Sequence, residues 1–249
     1  MATFEKRGEI CIWWFPKEFS QSRYGEYYQS GRNSCTLISL ILANKIARER
    51  EFCQIPQQLP RRAVDIFAAA INDGNAVYHR LEGRVEMQMR DSRNLNIPDA
   101  IEALQMHRRK KDSFHLKELF FTHLQVDPTK RSYPYVAAER LTQIFNVGLQ
   151  LFRQKLPALT ARHLFVIVIA DSRTTTFVFE VPNNVVAFID SHHHGRNTGA
   201  VIAQAEIKNL DELAFWFVNM LAEIYQSKPN LYEISFFSTE SVEIPSPFA

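Results

Sequence analysis

The chain reads as an α+β domain, with helices filling its first half and an antiparallel sheet its second. Three observations predict this. A helix apolar on nearly every side begins at Cys35. Amphipathic stretches follow it, with apolar residues every three or four positions. From Leu164 to Asp190, three β-branched and aromatic runs are joined by turns too short for any but antiparallel pairing. The expected architecture packs the buried Cys35 helix on that sheet.

In chain order, Glu9 to Phe15 is β-branched and aromatic and stops at Pro16, as a short strand does. Ser20 to Asn33 is a polar loop. Its Tyr24, Tyr27 and Tyr28 rings either line a cleft or wedge beneath the next helix. That helix runs from Cys35 to about Glu51. Leu37, Ile38, Leu40, Ile41 and Leu42 make it apolar all round, the mark of a buried helix, while Lys45, Arg48 and Arg50 suit the negative end of its dipole. Pro56 and Pro60 break the chain. Arg62 to Asn72 forms a second helix, with Gly74 as its stop. Ala76 to Arg90 fits helix and strand equally.

Pro98, followed by Asp99, opens a helix to His107. Ser113 to Glu118 starts a short helix carrying Leu119, Phe120 and Phe121. Val126 to Pro134 is a loop, and Val136 to Gln154 is a long amphipathic helix through Leu141, Ile144, Phe145, Leu149 and Phe152. The three strands then cover Leu164 to Ala170, Thr175 to Val181, and Val185 to Asp190. Asn209 to Glu212 caps a helix with Leu213, Phe217, Met220, Leu221 and Ile224 on its inner face, and Leu231 to Ser238 closes the sheet.

With 249 residues, 46% apolar and 22% charged, the chain can bury a sizeable core, and no linker or repeat divides it, so one domain over 1–249 is expected. A net charge of +2 does not imply nucleic acid. The one basic run, His107 to Lys111, reads as a solvated helix end. Cys11, Cys35 and Cys53 are odd in number and lack scaffold spacing, which suits free thiols in a reducing compartment. The first residues lack the apolar core of a signal peptide, and no run approaches the ~20 apolar residues of a membrane span. The expected location is the cytoplasm or the nucleus, with no membrane partner and no cofactor.

The chemistry is concentrated in two places. Gln29-Ser30-Gly31-Arg32-Asn33-Ser34-Cys35 is a turn-prone approach to a helix that begins on a thiol. There the unpartnered N–H groups and the dipole favour thiolate over thiol. Six residues upstream, the Gln29 amide is placed to donate to a developing oxyanion. The second place is Asp190-Ser191-His192-His193-His194, where Asp190 and His192 share one face of an extended strand. Cys35, His192 and Asp190 thus form the candidate thiol hydrolase site, with Gln29 as its helper. An ideal strand would separate the Asp190 and His192 Cβ atoms by roughly 7 Å, so contact requires the side chains to lean together or the strand to bend. Asn33 and Asn197 are the alternative orienting groups. The adjacent histidines also raise the question of a metal, but only His192 and His194 share a face, and further ligands (His163, Cys53) have no recognised spacing, so no metal is expected.

These residues resemble papain-like cysteine peptidases: a nucleophile at the start of a buried helix, a glutamine six residues ahead, and a histidine later on a sheet. The Asp190-x-His192 spacing, at the end of an apolar strand that follows two others, is similar to two subgroups. These are the herpesvirus tegument deubiquitinases and the proteases specific for the ubiquitin-fold modifier. Ser191 stands where those usually carry proline, and Asn33-Ser34 precede the thiol in place of their glycine-containing approach. The resemblance implies a papain-like fold and a cysteine peptidase or isopeptidase that acts on ubiquitin or a ubiquitin-like modifier. It also leaves room for a catalytically inactive, peptidase-like adaptor that holds protein partners. The 19 phenylalanines and the Ile244-Pro245-Ser246-Pro247-Phe248 terminus would suit such a docking role.

Overall fold

The computed structural model describes residues 1–49, 51–53, 56–83, 94–106, 114–155 and 162–239. Its strands are β1 (Thr3–Arg7), β2 (Ile10–Pro16), β3 (Lys117–Gln125), β4 (His163–Ala170), β5 (Arg173–Glu180), β6 (Val185–Asp190), β7 (Thr198–Glu206) and β8 (Leu231–Ser238). All eight lie in one sheet, in the order β1-β2-β7-β6-β5-β4-β8-β3, and every neighbouring pair is antiparallel. The helices are α1 (Cys35–Ile46), α2 (Arg61–Glu82), α3 (Ile97–Met106), α4 (Tyr133–Lys155) and α5 (Leu210–Ile224).

The sheet is covered on both faces. Phe165, Ile167, Val178, Ala187, Ile189 and Ile202 join α1, α2 and α3 in one apolar cluster. The alternate residues Leu164, Val166, Val168, Phe177, Phe179 and Phe188 join α4 and α5 in the other. Successive side chains of a strand point to opposite faces, so a strand buried on both sides reads as an uninterrupted apolar run. This is why β4 has no polar interruption from Leu164 to Ala170.

Several elements differ from the sequence reading. The stretch Lys117–Gln125 is a strand paired with β8, not a short helix. Buried Phe120, Thr122 and Leu124 alternate with exposed Phe121, His123 and Gln125, a period of two that the aromatic run concealed. The β8 strand does not close the sheet but lies between β4 and β3, and the N-terminal β1–β2 hairpin supplies the opposite edge. Helix α1 ends at Ile46 rather than Glu51. Helix α2 runs straight through Gly74 to Glu82. A Cβ added at Gly74 would sit 2.4 Å from Ile38 Cγ1, so this glycine lets α2 approach α1 and does not stop the helix. The α2 helix resolves part of the ambiguous Ala76–Arg90 stretch; residues 84–90, the basic run over 107–111 and the terminus over 240–249 lie outside the described residues.

The long buried helices matter for the site because they fix α1. Its residues Leu37, Ile38, Leu40, Leu42, Ala43 and Ile46 are all buried between the sheet and α2. A helix clamped on every side holds its first residue in one place.

Candidate active site

A 3-10 helix, Tyr28–Asn33, leads to Ser34 and then to Cys35, the first residue of α1. The approach is locked by a buried polar network. The Ser34 hydroxyl donates to Asn75 Oδ1 at 2.6 Å, and Asn75 Nδ2 donates to the Gln21 carbonyl at 2.8 Å. Gly31 presses against that same carbonyl: an added Cβ would lie 1.8 Å from it. Glycine is therefore obligatory here for close backbone approach. Gln21 in turn grips the strand end across the site. Its N–H donates to the Ser191 carbonyl at 2.8 Å, and its Oε1 accepts from the Ser191 hydroxyl at 2.7 Å.

The chain leaves β6 at Asp190, and this break from extended geometry closes the gap that an ideal strand would leave. Asp190 Oδ1 accepts from the His192 backbone N–H at 2.9 Å and faces His192 Nδ1 at 2.5 Å. Asp190, not Asn33 or Asn197, therefore orients the ring. Asn33 instead hydrogen-bonds Tyr78, and Asn197 is exposed. With Nδ1 turned to the carboxylate, the rest of the ring is presented to Cys35, close enough for the imidazole and the sulfur to shift one another's ionisation. The Thr174 backbone N–H, at the start of β5, also addresses the sulfur. The Thr174 hydroxyl is shared between the sulfur and the Thr36 hydroxyl, 2.8 Å away.

The electrostatics follow from that packing. Burial pushes the Cys35 thiol up, but His192 and the Thr174 donors outweigh it and hold the thiol below its ordinary value. Burial pushes His192 down, yet Asp190 and Cys35 raise it to about 10. Asp190 is buried too, and the imidazoles of His192 and His194 hold its carboxyl well below the usual carboxylate range. All three shifts run toward the charged form of the group concerned.

The remaining sequence expectations fall out unevenly. Gln29 is exposed on the 3-10 helix, and no described residue accepts or donates a hydrogen bond to its amide. Cys35 itself has no exposed surface, and His192 is 13% exposed. The Thr36 hydroxyl donates to the Leu95 carbonyl at 2.7 Å, and Asn94 Nδ2 donates to the Ser172 carbonyl at 3.1 Å, so the 94–95 chain is tied to the first turn of α1 and to the turn before β5. Among the described residues, no group of three His, Cys, Asp or Glu is arranged to hold a metal ion. Of the tyrosines, Tyr24 packs on Phe19, Tyr27 stacks on His79, and Tyr28 is exposed. Sequence reasoning passed over Thr174, Asn75 and Gln21, because single polar residues in distant elements carry no spacing signal.

No family model matches the chain, and no curated protein is similar to it by sequence. Two solved structures are similar to it over most of their length. The Pseudomonas avirulence protein AvrPphB is 8% identical with a TM-score of 0.46, over 84% of this chain and 92% of that one. The murine cytomegalovirus tegument protein M48, a ubiquitin-specific protease solved with a ubiquitin-based suicide substrate, is 11% identical with a TM-score of 0.46, over 95% and 90%. Likeness at this level leaves the roles of residues to the geometry of this chain. No described helix is long and apolar enough to cross a membrane.

Proposed function

We propose that the protein is a cysteine peptidase or isopeptidase acting on ubiquitin or a ubiquitin-like modifier. One observation carries the peptidase reading: His192 is hydrogen-bonded to Asp190 on one side and interacts electrostatically with the Cys35 sulfur on the other. The modifier follows from the Asp190-x-His192 resemblance. In the proposed reaction the Cys35 thiolate attacks the carbonyl carbon of an amide or isopeptide. The His192 imidazolium gives its proton to the departing amine, and Asp190 keeps the ring oriented throughout. The tetrahedral oxyanion meets the Cys35 backbone N–H, one of the unpartnered donors of the α1 N-terminus, and the unbonded Gln29 amide. Water, deprotonated by the now neutral His192, releases the acyl group and regenerates the thiolate beside the imidazolium. The sulfur is covered in this structure, so substrate contact requires what lies over it to yield.

A fluorogenic amide at the ubiquitin C-terminus tests this reading. The wild type should release the fluorophore, while Cys35→Ala and His192→Ala should lose at least ~10³-fold in kcat/KM. Full turnover in Cys35→Ala would remove the mechanism. The covered sulfur favours a second reading, a non-catalytic adaptor of the same fold. Saturable binding of the modifier with no turnover, unaffected by Cys35→Ala, would select it.

A further inference from the structure

The third histidine of the run has no part in the reaction just described. His194 is fully buried, and its ring lies against Trp14 and Tyr225, each with centroids 5.5 Å away. Its Nδ1 faces the Gly199 carbonyl at 2.8 Å, and its Nε2 faces Asp190 Oδ2 at 3.2 Å. A carbonyl only accepts, so Nδ1 carries a proton. The carboxylate only accepts as well, so the second contact is satisfied when Nε2 also carries one. Asp190 is therefore gripped from both sides: His192 holds one oxygen and His194 the other.

We propose that His194 is a positioning residue, the back anchor of the site, which fixes the Asp190 carboxylate and balances its charge so that His192 can pair with Cys35. The inference rests on the peptidase reading of that site. The argument is one of geometry and charge. A buried chain of thiolate, imidazolium and carboxylate carries one unbalanced negative charge. A second imidazole set against the far oxygen gives that carboxylate a second polar partner inside an apolar shell. It also stops the carboxylate from rotating about its Cβ–Cγ bond, which would withdraw Oδ1 from His192 Nδ1. The ring is held in turn by the His194 backbone N–H, which donates to the Thr198 carbonyl at 3.0 Å, and by the Gly199 contact. Both partners belong to the start of β7, the strand next to β6. A register shift between these strands would thus reach the thiol through His194 and Asp190.

The test reads the Cys35 thiolate directly, by its absorbance at 240 nm against pH, as the difference between each protein and its own Cys35→Ser counterpart. This readout needs no access to the sulfur. His194→Phe keeps a ring among Trp14 and Tyr225 but removes both donors, and should move the thiolate midpoint up by about one pH unit. His194→Gln keeps one donor and should move it less. A role confined to packing would lower the melting temperature and leave the midpoint in place, so a folded His194→Phe with a wild-type midpoint overturns the proposal. A wild-type midpoint at the ordinary thiol value would instead defeat the peptidase reading of the site, and this inference with it.

Discussion

The two ends of strand β5 each carry a buried cysteine, a buried carboxylate and a histidine beside them. Near Thr174 these are Cys35, Asp190 and His192; near Glu180 they are Cys53, Glu180 and His163. The first thiol is held low and its histidine raised to about 10, whereas Cys53 is pushed well above its ordinary value and His163 is lowered to about 4. The residue types match, so the contrast lies in reach. His192 Nδ1 meets its carboxylate at 2.5 Å, while His163 Nε2 stands 3.8 Å from Glu180 Oε1, beyond hydrogen-bond distance, and has no hydrogen-bond partner among the described residues. Glu180 spends its oxygens elsewhere: on the Phe52 and Cys53 N–H groups and, at 3.1 Å, on the Asn183 amide. Cys53 faces the Gln204 amide instead of a base, and burial together with the Glu180 charge keeps it a thiol. Burial alone neutralises these groups; burial with a partner in reach charges them.

The largest expected effect breaks the first cluster and spares the second. Asp190→Ala leaves two buried imidazoles without their carboxylate and should cost about 3–5 kcal/mol in urea unfolding, along with nearly all turnover. Glu180→Gln should cost only about 1–3 kcal/mol, because an amide oxygen can still accept from the two backbone donors. Equal costs at the two positions would erase the distinction between the clusters.

Acid sharpens the contrast next. His163 is neutral in the fold and charges on unfolding, so stability should fall as pH drops from the ordinary 6.5 toward about 4, by up to about 3 kcal/mol. His163→Gln should flatten that part of the stability profile; because the raised Glu180 acts in the opposite sense, the difference between wild type and variant is the quantity to measure. The active-site cluster behaves otherwise. The contribution of His192 is complete below 6.5 and is lost only as pH climbs through about 10, and that of Asp190 survives until pH falls below the usual carboxylate range. Turnover should accordingly hold across neutral pH and decline on the basic side near 10, as a pH–rate profile would record.

Smaller effects follow. Cys53→Ala should lower stability by about 1–2 kcal/mol and leave the Cys35 thiolate titration unchanged. Gln29→Ala, at an exposed position, should leave the unfolding free energy within about ±0.5 kcal/mol while lowering kcat ~10²–10³-fold. If kcat does not move, the oxyanion role passes to the backbone alone.

The amino-acid sequence by itself determined the helix that begins on Cys35, the meander from Leu164 to Asp190, the long helix through Phe145 and Phe152, and the Asp190-x-His192 pair. Each depends on interactions among near neighbours, whose period, turns and caps are written along the chain. Tertiary structure decided the rest. Only packing across the sheet could show that Lys117–Gln125 pairs with β8, that Gly74 marks a helix crossing, and that β1 and β2 form an edge. Only the departure of the chain from β6 could bring His192 onto Asp190, since a straight strand holds them apart. The difference between Cys35 and Cys53 was likewise decided in three dimensions, because a thiol takes its charge from whatever partners lie within a few ångströms, and those partners come from strands and loops more than a hundred residues away.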